Sequence, residues 1–231
     1  MSEKCPLCKG EGKSIIILKH KLTGRPYTAI DWCACMKSRL VSQAPNNKIL
    51  IGLGDAYMPL DKIDPKLKFD PDNLGECPNY LVPNETSFET FCLNVKAIIM
   101  KYGFNYPAPS FYACDAIDIL KKFYVQQDDK TSPSLSDTNK FDLLIFVLGT
   151  NEKNDPLKTC IAQVVYNRKM IKKPTWIYVK YPTLNSCVQE YSADLEGYLA
   201  SYDRINLADV DGRVKTRHSQ SKKAAEKGIF G

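Results

Sequence analysis

Histidine is almost missing from this chain: His20 and His218 are the two present in 231 residues. No G-x-S-x-G serine motif occurs either, so the common acid–base and nucleophilic hydrolytic constellations lack their parts. Long apolar runs are also lacking. Nothing approaches the roughly 18 uninterrupted apolar residues of a membrane helix, and the opening MSEKCPLCKG has no apolar block of the signal-peptide kind. The expectation is a cytoplasmic protein without a membrane partner. No internal repeat is evident.

What is present is an ordinary globular composition, 44% hydrophobic and 25% charged. Its charge is unevenly placed. Residues 1–48 hold nine Lys/Arg against three acids, residues 213–231 hold six against one, and the stretch between them is mildly acidic. A basic head and a basic tail around an acidic body point to a polyanion touched by the ends, with nucleic acid the commonest candidate. Solvated, solubilising termini are the plainer alternative for such charge runs.

Nine cysteines, odd in number and scattered, argue against a disulfide framework. Four cluster in the head, CPLCKGEGKSIIILKHKLTGRPYTAIDWCACMKSRL. Cys5 and Cys8 form C-x-x-C, and Cys33 and Cys35 form C-x-C. Between them, 14–21 and 27–32 read as two short strands joined by Leu22-Thr23-Gly24-Arg25-Pro26. A hairpin brings the two pairs together, and four thiolates can surround one structural Zn²⁺ at about 2.3 Å each, with no open position for catalysis. His20 could replace one thiolate, but it lies mid-strand and four sulfurs are preferred. A head this short has too little core to fold alone, which makes the metal its stabiliser. Cys92, Cys114, Cys160 and Cys187 read instead as core residues on apolar faces.

Residues 45–76 are rich in Pro and Gly without sustained periodicity and read as a linker or wrapping segment. From about residue 77 strands alternate with helices, which predicts a parallel sheet covered on both faces. Tyr80–Val82 is a short strand. Thr86 and Glu89 make a capping box for a helix carrying Phe88, Phe91, Cys92, Val95, Ile98, Ile99 and Tyr102, closed by Gly103. A strand follows at 110–114, then a helix capped by Asp115 with Ile119, Leu120, Phe123 and Tyr124 on its apolar face. Residues 126–140 are a polar loop before the buried strand FDLLIFVLGT at 141–150. Asp155-Pro156 opens a helix; a strand at 175–179, a helix at 184–201 and a last strand at 204–207 complete the pattern. Arg168, Lys169, Lys172 and Lys173 form a basic helix end, which suits either the helix dipole or a phosphate contact.

This order of parts resembles the bacterial replicative-helicase loaders of the DnaC/DnaI type and their IstB-like relatives. The resemblance is carried by the C-x-x-C and C-x-C head, the wrapping linker, FDLLIFVLGT followed by an Asp-Pro helix, Asn167-Arg168-Lys169-Met170-Ile171-Lys172-Lys173-Pro174-Thr175, and DRINLADVDGR at 203–213. It implies an α/β fold with an AAA+/RecA-like parallel sheet flanked by helices and a small N-terminal zinc-binding β-hairpin module. The parts are a zinc module at 1–44, a linker at 45–76, an AAA+-like domain at 77–213 and a basic tail at 214–231.

The family binds ATP, and here the chemical positions differ. A phosphate-binding loop uses glycines for close approach of backbone amides, a Lys for the outer phosphates and a Ser/Thr hydroxyl for Mg²⁺. This chain has Pro83-Asn84-Glu85-Thr86-Ser87-Phe88-Glu89-Thr90. Pro83 and Phe88 stand where Gly is needed and Glu89 where Lys is needed; Thr90 alone is of the right type. After the strand at 141–148 the acids that would hold Mg²⁺ are replaced by Val147 and Leu148, or in the other register by Phe146 and Val147. The expectation is a pseudo-ATPase: Zn²⁺ as structural cofactor, no nucleotide, no catalytic residues.

The resemblance places the partner surface on the zinc module, with Lys19, Lys21, Arg25, Lys37 and Arg39 around it and Tyr27 and Trp32 as aromatic candidates. Packing under the metal site is the plainer role for Trp32. The tail offers Arg213, Lys215, Arg217, Lys222, Lys223 and Lys227 to a phosphate backbone, while Ile229 and Phe230 could instead anchor in a partner's groove. The expected function is a nucleotide-independent adaptor binding a replicative helicase, another protein of a nucleoprotein complex, or nucleic acid itself. A structural subunit of a larger nucleoprotein assembly and an ATPase with a displaced site are the alternatives.

Overall fold

The computed structural model of the chain describes residues 8, 11–19, 23–105, 107–121, 138–149, 155–181 and 193–209. The first element is an antiparallel hairpin of β1 (Lys13–Lys19) and β2 (Pro26–Trp32), in which Ile15 faces Ile30 and Leu18 faces Tyr27. Both strands are exposed nearly throughout; Ile16 and Ala29, paired across the hairpin, and Trp32 are half-buried. Helix α1 (Ala34–Gln43) follows directly.

The main body is a five-stranded parallel sheet in the order β4-β5-β6-β3-β7, with β3 at Tyr80–Val82, β4 at Phe111–Asp115, β5 at Leu143–Leu148, β6 at Thr175–Val179 and β7 at Asp203–Arg204. All of its strand pairs are parallel. Helix α2 (Phe88–Tyr102) leaves β3 and returns on the far edge at β4. Helix α3, described over 116–121, α4 (Asp155–Met170) and α5 (Ala193–Leu199) make the opposite progression toward β7. Because parallel crossovers are right-handed, opposite directions of travel place helices on opposite faces. Accordingly, Tyr80, Val82, Ile145, Val147, Trp176 and Tyr178 pack with α2, while Leu81, Leu144, Phe146, Leu148, Ile177 and Val179 pack with α3, α4 and α5. The two buried faces explain why all six residues of β5 are buried and why its sequence is continuously apolar rather than alternating.

The segment between α1 and β3 is a strap of three 3₁₀ turns, Lys48–Leu53, Leu60–Lys62 and Leu74–Glu76. It starts along the open edge of the sheet, where the Ala113 N–H donates to the Asn46 carbonyl at 2.8 Å and Lys48 pairs with Asp118 at 2.9 Å. It then crosses α2, burying Leu50, Met58, Leu67 and Phe69. Lys96 of α2 is fully buried and donates to the Gly54 and Ala56 carbonyls, both at 2.7 Å, while Ser42 and Ser38 of α1 donate to Gly54 and Asp55 carbonyls at 2.9 and 3.2 Å. Three successive strap carbonyls are thus held by two helices, which ties α1 to the sheet.

Several expected boundaries shift. Ser87, not Thr86, caps α2: its hydroxyl accepts the Thr90 N–H at 3.1 Å, while buried Thr86 accepts the Leu207 N–H at 2.9 Å. The last strand is Asp203–Arg204 rather than 204–207, because Ile205 donates once more to Leu81 and the chain then turns onto the strap, Ala208 N–H meeting Asp64 at 2.8 Å. Arg168 is not part of an open helix end. Its guanidinium is fully buried and donates to the carbonyls of Thr138 (2.6 Å), Phe141 (3.0 Å) and Pro174 (2.7 Å) and to the Thr175 hydroxyl (2.9 Å). Cys92, Cys114 and Cys160 are buried as expected. Cys5, His20, Lys21, Phe123, Tyr124, Cys187 and everything from 210 onward, including Arg213, Lys215, Arg217, Lys222, Lys223 and Lys227, lie outside the described residues. No described helix is long and apolar enough to cross a membrane.

Candidate metal centre and strand-end loop

The hairpin carries its cysteines to one point. Cys33 precedes α1 and Cys35 lies in its first turn; Cys8 comes from the opposite strand's approach. Cys35 Sγ lies 3.5 Å from Cys33 Sγ and 3.7 Å from Cys8 Sγ, and all three lie within 4.8 Å of one another. Ligands about 2.3 Å from a tetrahedral Zn²⁺ stand about 3.8 Å apart, so these spacings fit one ion without rearrangement. Local geometry prepares the site. Gly12 holds φ +74° and its carbonyl accepts the Cys33 N–H at 2.9 Å, so glycine is favoured there on conformational grounds; a Cβ would meet only the mobile terminal methyl of Met36. The N–H groups of Met36 and Lys37 donate to the Cys33 carbonyl at 2.9 and 3.0 Å, which fixes Cys33 at the start of α1. The three described thiols could hold a metal ion as one closed cluster.

On one face of the hairpin Ile15, Ile17 and Ile30 are 74%, 76% and 50% exposed. Lys13 and Lys19 stand at the two ends of β1 on that same face, by the alternation of a strand. Leu18 and Tyr27 are exposed on the other face. Lys19, Arg25 and Arg39 are open to solvent; Lys37 is turned inward, 3.5 Å from Asp31 and over the Phe104 ring at 5.7 Å.

The second place of interest is the loop after β3. The chain leaves β3 toward one sheet edge while β7 lies on its other side, so the carboxyl ends of β3 and β6 flank a topological switch point, where ligands of parallel sheets bind. Among the described residues, several side chains meet one another at that point. Tyr178 of β6 donates from its hydroxyl to the Thr86 carbonyl at 2.9 Å, and its ring lies 5.1 Å from Phe91 and 5.3 Å from Phe88. Lys180 lies over the Phe88 ring at 5.2 Å and 4.0 Å from Asp115. Thr90, the residue of the right type for Mg²⁺, is buried and bonded to the Ser87 hydroxyl at 2.8 Å. Glu85 and Glu89 are exposed at the loop and first turn, Glu85 meeting Arg204 at 3.4 Å. The end of β5 presents Val147 and Leu148, both buried.

Burial pushes the Cys92 thiol up to about 12 and the Cys160 thiol up to about 11, which leaves neither as a nucleophile near neutral pH. Sequence reasoning missed Lys96 and the interior role of Arg168. A lysine among apolar residues on α2 is a signal for the first; nothing in the sequence distinguishes Arg168 from its exposed neighbours.

No protein-family model matches the chain, and no curated protein does. Among solved structures, a DnaC helicase loader is similar at 14% identity and a TM-score of 0.47, over 61% of this chain and 82% of that one. A DNA replication initiation factor is similar at 13% identity and 0.46, over 68% and 47%. AMPPCP-bound DnaA from Aquifex aeolicus is similar at 12% identity and 0.46, over 70% and 49%.

Proposed function

We propose that this protein is a nucleotide-independent adaptor of DNA replication or a related mobile-element process, in which a zinc-clamped hairpin docks a partner protein and the sheet domain serves as its rigid base. The observation that carries the reading is the strand-end loop. Phosphate recognition there requires approachable backbone amides and a cation, and the loop supplies Pro83, Phe88 and the carboxylates of Glu85 and Glu89 instead. Tyr178 is tied to the Thr86 carbonyl, Lys180 lies over Phe88, and Thr90 is committed to the helix cap, which supports a loop not arranged for phosphate.

The metal would be Zn²⁺ held by Cys8, Cys33, Cys35 and Cys5 as the fourth thiolate. With four protein ligands it is structural, and it supplies no chemistry beyond holding the hairpin to α1. The exposed Ile15, Ile17 and Ile30 face, flanked by Lys13 and Lys19, is then the docking surface. The resemblance to helicase loaders names a replicative helicase as the partner class, with a protein of another nucleoprotein complex as the alternative. The basic tail from Arg213 adds backbone contacts to nucleic acid.

Calorimetry with ATP and Mg²⁺ tests the carrying observation. No saturable heat is expected in the micromolar range. Saturable binding that a Thr90→Val substitution removes would overturn the reading.

A further inference from the structure

The end of the sheet domain opposite the loop after β3 carries an unusual helix terminus. Helix α4 runs antiparallel to the strands, so its C-terminal turn lies at their amino ends, beside the start of β5 and β6. It finishes with a double hydrogen bond of the kind that normally uses glycine: Lys173 N–H to the Arg168 carbonyl and Lys172 N–H to the Lys169 carbonyl, both at 3.1 Å. The residue in the left-handed position is Lys172, with φ +53°. It is the one non-glycine residue at positive φ among those described. A Cβ in that conformation costs about 1 kcal/mol, and glycine would remove the cost.

The helix dipole does not account for this lysine. Lys169 already stands in the last turn, Arg168 lies buried beneath it, and the two terminal carbonyls are satisfied by the backbone bonds just described. What Lys172 adds is a charge projecting past the helix end. Lys169 and Lys172 are exposed, Lys140 is exposed beside them, and half-buried Lys173 reaches the Lys140 carbonyl at 3.1 Å and Asp142 at 3.3 Å. Over 138–142 and 166–173, with buried Arg168 set aside, four lysines face one acid, Asp142, which Ser110 also holds at 2.9 Å. Interleaved with the lysines are Tyr166 (40% exposed), Met170 (64%) and Ile171 (47%). The Tyr166 ring is backed by Tyr198 at 5.4 Å, which fixes it in place and leaves part of it open.

We infer that the C-terminal end of α4 is a contact surface for single-stranded nucleic acid. Lys169 and Lys172 meet backbone phosphates, and Tyr166 with Met170, four residues on along the same helix face, offers a platform to unstacked bases. Lysines alone would suit a duplex equally; an exposed aromatic and apolar surface among them is useful where base faces are free, which a duplex does not present. The site uses none of the hairpin or strand-end residues, so it stands apart from the adaptor reading.

The test is fluorescence anisotropy of the full-length, zinc-loaded protein with fluorescein-labelled (dT)20 across a salt series. Lys169→Glu/Lys172→Glu should weaken binding by about tenfold or more and lower the salt slope by about 1.4, two phosphate contacts at about 0.7 each on a single strand. Tyr166→Ala should weaken binding while leaving the salt slope in place, since stacking releases no counterions. Lys172→Gly guards against a folding artefact: it removes the charge, suits the backbone, and should bind (dT)20 more weakly while melting no lower than the parent. Unchanged affinity and slope in Lys169→Glu/Lys172→Glu would overturn the inference. So would unchanged (dT)20 binding accompanied by lost binding of a protein partner, which would reassign the patch to protein docking.

Discussion

Isoleucine is treated in opposite ways in two parts of this molecule. In the hairpin Ile15 and Ile17 are 74% and 76% exposed, whereas in β5 Ile145 is completely buried, as are its neighbours. The sheet strand has α2 on one side and α3, α4 and α5 on the other, so its own burial stabilises it. The hairpin strands touch chiefly each other, and a two-stranded ribbon without a covered face is marginal in water. The contrast shows packing as the source of order in the sheet, and it leaves the head to the metal ligation proposed for its cysteines. It also shows where apolar surface remains available for a partner, since β5 has none to give.

The largest expected effect breaks the hairpin alone. Structural zinc sites contribute on the order of 10–16 kcal/mol in small metal-dependent modules, so Cys35→Ser or prolonged chelation should unfold β1 and β2 while the sheet keeps its cooperative melt. Elemental analysis should fall from about one zinc per chain to none, and hydrogen exchange should accelerate over 13–32 but not over 143–148. Zinc-free protein with an intact, slowly exchanging hairpin would dismiss the metal reading. The converse change acts on the sheet. Phe146→Ala removes a fully buried ring from β5 and should cost about 3–5 kcal/mol, read as a lower denaturation midpoint with the zinc content unchanged.

Sequence reading reached the sheet side of this comparison well because regular elements leave periodic or continuous apolar signals. The helix over Phe88–Tyr102 with its stop at Gly103, the strand over 143–148 and the parallel sheet all follow from pattern. The one-residue error at the cap arose because Thr86 and Ser87 are both good caps; the tie is settled by the Leu207 N–H, distant in sequence, that claims Thr86. The strap over 45–76 left no periodic signal because 3₁₀ turns are short and irregular, yet it buries Leu50, Met58, Leu67 and Phe69. Of the four cysteines expected at a metal centre, the convergence of Cys8, Cys33 and Cys35 was legible from spacing, while Cys5 lies outside the described residues. At the strand-end loop the residue types of Pro83, Phe88 and Glu89 could be read from sequence, but the contact of Tyr178 with Thr86 could not.

A third prediction concerns how the two regions are joined. Lys96 reaches the strap carbonyls that α1 also binds, and burial lowers its pKa to about 8, an effect that nearby Asp55 partly opposes. In the unfolded chain an ordinary lysine titrates near 10.5. Between about pH 8 and 10.5 the unfolded state therefore holds more protons than the folded one, so this group makes folding more favourable as pH rises through that window. The neutral amine keeps two N–H donors for Gly54 and Ala56, so the contact survives deprotonation. Denaturation of the parent from pH 7.5 to 10.5 should show a gain, on the order of 2 kcal/mol, that Lys96→Met lacks. Equal pH slopes in the two proteins would mean that the ammonium is not strained by its burial.

The smallest expected effect is at Lys172, and it sharpens the comparison by asking what holds a residue where packing does not want it. Neither the metal nor the core constrains this position: the side chain is exposed, the backbone sits at φ +53°, and both flanking hydrogen bonds come from main-chain N–H groups that any residue supplies. Lys172→Gly should raise stability by about 0.5–1 kcal/mol, the relief of a left-handed Cβ less the extra freedom glycine has when unfolded. Lys172→Ala keeps the Cβ and loses the charge, so it should leave stability within about 0.5 kcal/mol of the parent. Urea titrations of the three proteins separate the terms, because the m-value should be common to all of them. If alanine stabilises as much as glycine, repulsion of Lys172 by Lys140, Lys169 and Lys173 is the strain at this corner rather than the backbone, and the positive φ carries no cost.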